Sequence, residues 1–229
     1  MTVDARAVEQ HRSHILEHVT PTDPIDLNTS EASGFTLAQT ARAALPVPPF
    51  TNSAMDGFAV QYADVAQATS NSPITLDVVA DLPAGSAADP AIGPGQAARI
   101  MTGSLVPSSA DTIVPFEDTV GGLSDSLHLA TVTKAPSHLG AFVRGTAGDV
   151  AVGDEVLASG TVLGPRHIAS LLATGINTVT VAAKPRVAIV STGNELVPAG
   201  QALLPGQIPD TNGERLAGLA REAGAEVIR

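Results

Sequence analysis

The chain has 229 residues, of which 44% are apolar and only 15% charged, with a formal net charge of −11; that is enough apolar material for one large domain or two to three small ones. The acidic balance, the missing Trp and the single Tyr argue against a basic, base-stacking surface, so no nucleic-acid partner is expected. The absence of cysteine excludes disulfides, thiolate metal sites and cysteine nucleophiles, and without a long apolar run or an apolar N-terminal centre the chain is expected in the cytoplasm, away from membranes.

In chain order, residues 4–19 read as a helix, with Ala7, Val8, His11, Ile15 and Val19 recurring at three- and four-residue spacing. Pro21 and Pro24 stop it. Thr36 to Leu45 reads as a short helical or irregular element. Pro46, Pro48 and Pro49 then impose an extended approach to the next segment. From about residue 50 the texture changes to short β-like runs: Ile74 to Ala80, Ala97 to Met101, Thr112 to Phe116 and Leu127 to Thr133. Gly121-Gly122 is a candidate hairpin turn, and Leu82 to Gly95 is a loop. Gly164-Pro165 opens a helix with Pro near its first position. Ile168, Leu171 and Leu172 supply its apolar face, and Gly175 is placed to end it. Ile176 to Ala182 is a strand.

The run RVAIVST, residues 186–192, is almost wholly apolar or β-branched and reads as a central parallel strand covered on both faces. A Gly- and Pro-containing loop comes next. Asn212 is expected to cap a helix through Ala223, Gly224 to end it, and Ala225 to Ile228 to begin a second strand. One strand, one helix and the start of another strand form only part of an α/β layer. The plainer alternative is that this last segment packs on the preceding domain.

Four polar clusters carry candidate chemistry. In NSAMDGF (52–58), Gly57 permits a sharp turn that presents Asp56 to a hydrated cation or polar ligand; alternatively Asp56 closes an Asx-turn on its own backbone. In RIMTG (99–103), Thr102 and the Gly103 N–H can meet an oxyanion, or form an ordinary strand exit. On a regular strand Arg99 points to the opposite face from Thr102. Asp111 and Glu117 farther on read as solvated. In VRGTAGD (143–149), Arg144 and Asp149 sit in a flexible loop that is not a P-loop and is otherwise a turn between domains. STGNEL (191–196) comes directly after the clearest strand, and open α/β sheets bind ligands beyond the carboxyl ends of their strands. There Ser191, Thr192 and Asn194 offer hydrogen bonds, and Glu195 a carboxylate for a divalent cation. Asp210, Thr211 and Asn212 stand at a helix entry, where capping alone would also account for them. His14 and His18 share a helical face with His11 offset, but no third-ligand motif accompanies them.

Together NSAMDGF, RIMTG with ADTIVPFED (110–118), and PRVAIVSTGNEL (185–196) with IPDTN (208–212) resemble the molybdopterin molybdenumtransferase family, whose eukaryotic relatives include the C-terminal domain of gephyrin. The resemblance covers about residues 5–229. It implies insertion of molybdate into adenylylated molybdopterin with release of AMP, assisted by Mg²⁺ or a similar divalent cation. It implies a multidomain fold of mixed α and β structure. A split helical/mixed domain would comprise residues 1–48 and 141–183, an inserted β-rich domain 49–140, and the beginning of a three-layer α/β molybdopterin-binding domain 184–229. Implied partners are a second copy in a homodimer and a molybdopterin adenylyltransferase.

Carried onto these positions, the resemblance gives Asp56, Asp149 and Glu195 as catalytic candidates, with Asp56 and Glu195 also toward the cation. Thr102, Ser191, Thr192, Asn194 and Asp210 are the substrate-binding candidates. Two positions depart from the family pattern. Gly148 stands where the family shows Glu before Asp149, and Asn194 stands where it shows Asp before Glu195. Asn keeps a carbonyl oxygen but loses the charge, which weakens hard-cation binding. The family's later glycine-serine loop and C-terminal barrel have no counterpart here, so this span alone is expected to be inactive. The competing expectation is a non-catalytic scaffold or interaction module from the same family.

Overall fold

A computed structural model describes residues 7–125 and 127–228. They divide into two compact units: residues 43–154 form one, and the segments before and after it form the other.

Helix α1 (Val8–Leu16) is shorter than its apolar spacing predicts, and none of its residues is buried; residues 4–6 lie outside the described residues. Burial does not hold this helix, and nine residues are marginal on propensity alone. β1 (Pro24–Asn28), β2 (Thr36–Leu37) and β3 (Ala41–Arg42) come after it. The expected helical or irregular element at 36–45 is therefore two short strands. Their carbonyls and N–H groups find partners from far along the chain, which local spacing does not encode.

The middle unit opens with β4 (Asn52–Ser53), β5 (Gly57–Val60) and the single turn α2 (Tyr62–Val65). β6 (Ile74–Leu82), β7 (Gln96–Ile100), β8 (Thr112–Pro115) and β9 (Leu129–Val132) complete a five-stranded sheet in the order β8-β5-β7-β6-β9. Alternate residues of one strand enter different cores. Phe58 and Val60 of β5 pack with Leu76, Val114 and Val132, while Ala59 packs with Leu82, Ile100 and Ile113. Both faces are thus covered, which is why GFAV and TIVP read as unbroken apolar runs without alternation. Burying a side chain such as Phe58 or Ile113 stabilises the unit by about 1.5–3 kcal/mol. The segment from residue 83 to 95 is the crossover between the parallel strands β6 and β7.

The expected hairpin at Gly121-Gly122 takes a different form. β8 and β9 lie on opposite edges of the sheet, so these glycines do not join paired strands. Instead Thr119 bridges Val132, and a 3-10 turn over Gly122–Asp125 carries the chain round. Positive φ at both glycines, 78° and 53°, is what lets the chain reverse there.

β10 (Val143–Arg144) pairs with β4, and β11 (Glu155–Leu157) returns the chain to β3. Helix α3 (Pro165–Ala173) begins with Pro at its first position. It ends in a Schellman arrangement: Gly175, at φ 77°, donates to Leu172 O at 3.0 Å, and Ile176 donates to Leu171 O at 2.9 Å. β12 (Thr178–Ala182) lies between β1 and β2. Its Val179 and Val181 form a core with Leu37, Leu163 and Leu171. The N-terminal strands and the α3 region therefore share one core.

β13 (Arg186–Ala188), β14 (Leu196–Val197), β15 (Ile208–Pro209), α4 (Asn212–Glu222) and β16 (Glu226–Ile228) close the chain. β13 pairs in parallel with β16, and β14 with β15. The strand expected over 186–192 spans only its first three residues, and Val190 is 79% exposed. Covering on both faces needs neighbouring strands and a second helix layer, and one parallel pair beside one helix does not supply them. Among the described residues no helix is long and apolar enough to cross a membrane.

Candidate functional site

Three of the four polar clusters meet within the middle unit. β4 is flanked on one side by residues 103–106: Ser53 N–H donates to Ser104 O at 3.0 Å, and Gly103 N–H to Ser53 O at 2.8 Å. On its other side Arg144 lies opposite Asn52, and Ala54 N–H donates to Phe142 O at 2.8 Å. The VRGTAGD loop then runs back along the proline segment, with Asp149 N–H donating to Val47 O at 2.9 Å. NSAMDGF, RIMTG and VRGTAGD are thereby laid side by side. Asp149 is exposed and attached farther back along this ladder than Asp56.

Asp56 does not close an Asx-turn. Its Oδ1 accepts two hydrogen bonds from Thr102, one from the backbone N–H and one from the hydroxyl, each at 2.7 Å. The turn itself is held by Ser53, whose hydroxyl donates to Met55 O at 2.6 Å. Gly57 is not the turn glycine either. It starts β5, where a Cβ would lie 2.8 Å from the Val114 carbonyl carbon and 2.9 Å from Pro115 Cα. The glycine is needed because two backbones pass too closely for a side chain. Arg99 pairs with Asp81 at 3.0 Å and lies over the Phe116 ring, 5.9 Å from its centroid. Asp111 is not merely solvated, since it accepts the Tyr62 N–H at 2.7 Å at the start of α2.

The Thr102 N–H, and after it the Thr102 hydroxyl, hold the exposed Asp56 carboxyl below the usual Asp range; a little desolvation opposes this and Arg99 adds least to it. A depressed folded-state pKa gives a contribution to stability that is present above the ordinary carboxyl range near pH 4 and is lost as pH falls through the folded value. Carbon-detected NMR titration of the Asp56 carboxyl is expected to give a midpoint below that of an unstructured Asp. In Thr102→Ala the hydroxyl is lost but the larger backbone contribution stays, so the midpoint should rise only part way. A full return to the ordinary value, or none, would contradict this division.

The fourth cluster belongs to the other unit. Ser191, Thr192, Asn194 and Glu195 are exposed in the loop between β13 and β14. The loop is tied to β15 by Ile208 N–H to Glu195 O, 2.8 Å, and Asp210 N–H to Val197 O, 2.9 Å. It borders a cavity of about 540 Å³ whose polar wall includes Ser191, Asp210 and Glu214. A smaller hollow of about 200 Å³ adjoins it, reaching Thr192, Thr211 and Asn212. The cavity stands just past the end of β13, where a parallel sheet opens. Asn212 is the first residue of α4 and not its cap. Thr211 holds the cap position, while Asp210 Oδ1 accepts the Gly213 N–H at 3.0 Å, one of the helix-start donors that lack an intrahelical partner. The Glu195 carboxylate folds back over Gly193, whose absent Cβ would lie 2.6 Å from Oε1 and 2.7 Å from Oε2. Glu214, in the first turn of α4, also lines the cavity. The side-chain donors of this loop and cavity wall are all oxygens, apart from the Asn194 amide nitrogen, a set suited to a hard cation such as Mg²⁺.

These features define a protein of mixed α and β structure, mostly strands with few helices, with one polar loop beside a sheet-end cavity. Residues 6–175 match the family described as MoeA N-terminal region (domain I and II), and the chain belongs to that family. It is 38% identical over 223 residues to molybdopterin molybdenumtransferase 2 of Mycobacterium tuberculosis, covering 97% of this chain and 54% of the relative. It is 43% identical over 197 residues to molybdopterin molybdenumtransferase of Nostoc, covering 86% and 44% respectively. The crystal structure of the molybdopterin biosynthesis MoeA protein from Pyrococcus horikoshii is similar with a TM-score of 0.79 at 32% identity, over 90% of this chain and 54% of that one. The chain spans about half the length of the curated relatives it matches.

Proposed function

We propose that this chain serves molybdenum cofactor biosynthesis as part of a transferase that inserts molybdate into adenylylated molybdopterin and releases AMP. The observation that carries the reading is the cavity beyond β13, walled by Ser191, Asp210 and Glu214, in a chain related to molybdopterin molybdenumtransferases. Its hydroxyls can hydrogen-bond a polar substrate. Glu195 and the acids of the wall supply oxygen ligands for Mg²⁺, which would screen phosphate charge and polarise a phosphoryl oxygen. Within the middle unit, Asp56, fixed by Thr102, and Asp149 are further candidate acids for a substrate or cation.

In this proposal residues 1–48 and 141–183 form a split domain, 49–140 an inserted β-rich domain, and 184–229 the beginning of the molybdopterin-binding domain. The protein works in the cytoplasm as a homodimer, and receives adenylylated substrate from a molybdopterin adenylyltransferase. The described span does not turn over alone, because catalysis needs groups held to within about an ångström and the cavity is open. The test is AMP release from adenylylated molybdopterin on adding molybdate and Mg²⁺. The 229-residue chain should give only background, and the chain extended to the length of its relatives should give molybdate-dependent release. A folded, full-length protein with no such release would sink the reading in favour of a non-catalytic scaffold.

A further inference from the structure

Helix α1 carries a side-chain cluster that the proposed reaction does not use. His14 lies in the last turn of α1, and Glu17 and His18, just past its end, come up beside it. One potential ligand atom from each of the three lies within 4.8 Å of the other two. His14 Nδ1 is 3.9 Å from Glu17 Oε2, and the two imidazole rings are 4.7 Å apart between centroids. Sequence spacing showed the two histidines but not this third ligand.

The tautomer of His18 is fixed by its surroundings. Its Nδ1 lies 2.7 Å from the His14 carbonyl oxygen. A carbonyl only accepts, so in the neutral ring Nδ1 carries the proton and Nε2 is the nitrogen left to bind a metal. A ring N–H given to a backbone carbonyl is the usual outer support of a metal-binding histidine, because it orients the ring and raises the basicity of the ligating nitrogen.

We propose that His14, Glu17 and His18 bind a borderline divalent transition metal, with Zn²⁺ as the representative ion and water completing the shell. Two imidazoles and one carboxylate suit zinc and its neighbours and do not suit Mg²⁺, which prefers oxygen ligands in an octahedron. Tetrahedral zinc at about 2.1 Å from each ligand holds neighbouring ligand atoms about 3.4 Å apart. The three side chains, whose ligand atoms lie within 4.8 Å of one another, therefore need to close by up to about 1.4 Å, which a rotamer change of exposed side chains can supply. The metal would also tie the last turn of α1 to the two residues just beyond it. Burial does nothing for this helix, so the bound ion should raise its helicity.

The experiment is calorimetric titration of Zn²⁺ into the 229-residue chain, with a chromophoric chelator as competitor and far-ultraviolet circular dichroism alongside. One Zn²⁺ per chain is expected, with a gain in helical signal. His14→Ala and His18→Ala should each weaken binding by at least about tenfold, the scale at which even outer partners of a metal site act, and abolish the helical gain. His11→Ala, outside the cluster, should leave both unchanged. Since none of α1 is buried, these variants keep the cores intact. Undiminished Zn²⁺ affinity in the His14→Ala/His18→Ala double variant, or no uptake by the folded chain, would overturn the proposal. Neither result bears on molybdate insertion.

Discussion

Gly57→Ala is expected to destabilise the middle unit by about 3 kcal/mol or more, at the upper end of what overpacking costs. The added Cβ would meet the Val114 carbonyl group and Pro115 Cα at 2.9 Å or less. These are backbone atoms, so no rotamer change relieves the clash. β5 must move away from β8, and the register Gly57↔Pro115, Phe58↔Val114, Ala59↔Ile113 goes with it. Phe58, Ala59 and Val60 feed both cores of the sheet, so displacing this one strand loosens both faces. A domain of ordinary stability has about 5–15 kcal/mol in total, so a large share is at stake. Asp56 directly precedes the clash, and its bonds to Thr102 should weaken with it. Gly34→Ala is the comparison: its φ is 82° but nothing lies within 4 Å of the added atom, so it incurs only the left-handed penalty of about 1–2 kcal/mol. Urea unfolding of both variants checks the ranking. Equal losses would mean that the close approach at Gly57 is not what requires glycine.

The same glycine marks how far sequence reasoning reaches. Local devices were legible: Pro165 starting α3, Gly175 ending it, and the β-branched run from Ile74 forming β6. β5 was visible only as part of a polar motif, because a strand buried on both faces shows no alternation. Gly57 read as a turn because its real neighbour, Val114, is distant in sequence, and close backbone approach leaves no local trace. Asp56 and Thr102 were each legible as candidates, but their bond to each other was not, since that contact depends on the pairing of β5 with β7. RVAIVST announced a parallel strand correctly at its start and overstated it after Ala188, where pairing partners rather than propensity decide the length. At the loop beyond it, Ser191, Thr192 and Asp210 do border cavities, whereas Glu214 emerged only from the geometry of the α4 entry.

In the protein extended to the length of its relatives, Glu195→Gln is expected to lower Mg²⁺-dependent turnover by about ten- to a hundredfold, the range for disturbing a metal's supporting ligands, and to raise the Mg²⁺ concentration it needs. The variant keeps the size and one carbonyl oxygen of Glu195 but removes the charge that would hold the cation. Its exposure in the loop means that stability should change little, and thermal melts run beside the kinetics separate a folding defect from a lost ligand. Gly193→Ala approaches the same carboxylate from behind. The new Cβ would fall 2.6 Å from Oε1, and because the obstructing atoms are the end of a flexible chain, Glu195 should swing away, with added local strain from an Ala held at φ 158°. Asn194→Asp asks the opposite question: if residue 194 faces the same ion, restoring a charge there should lower the Mg²⁺ requirement. The three variants form a consistent set only if the loop holds the cation. Normal turnover and an unchanged Mg²⁺ dependence in Glu195→Gln would remove Glu195 from the site. The cation would then have to be held by Asp210 and Glu214 on the cavity wall, and the loop would serve only to link β13 to β14.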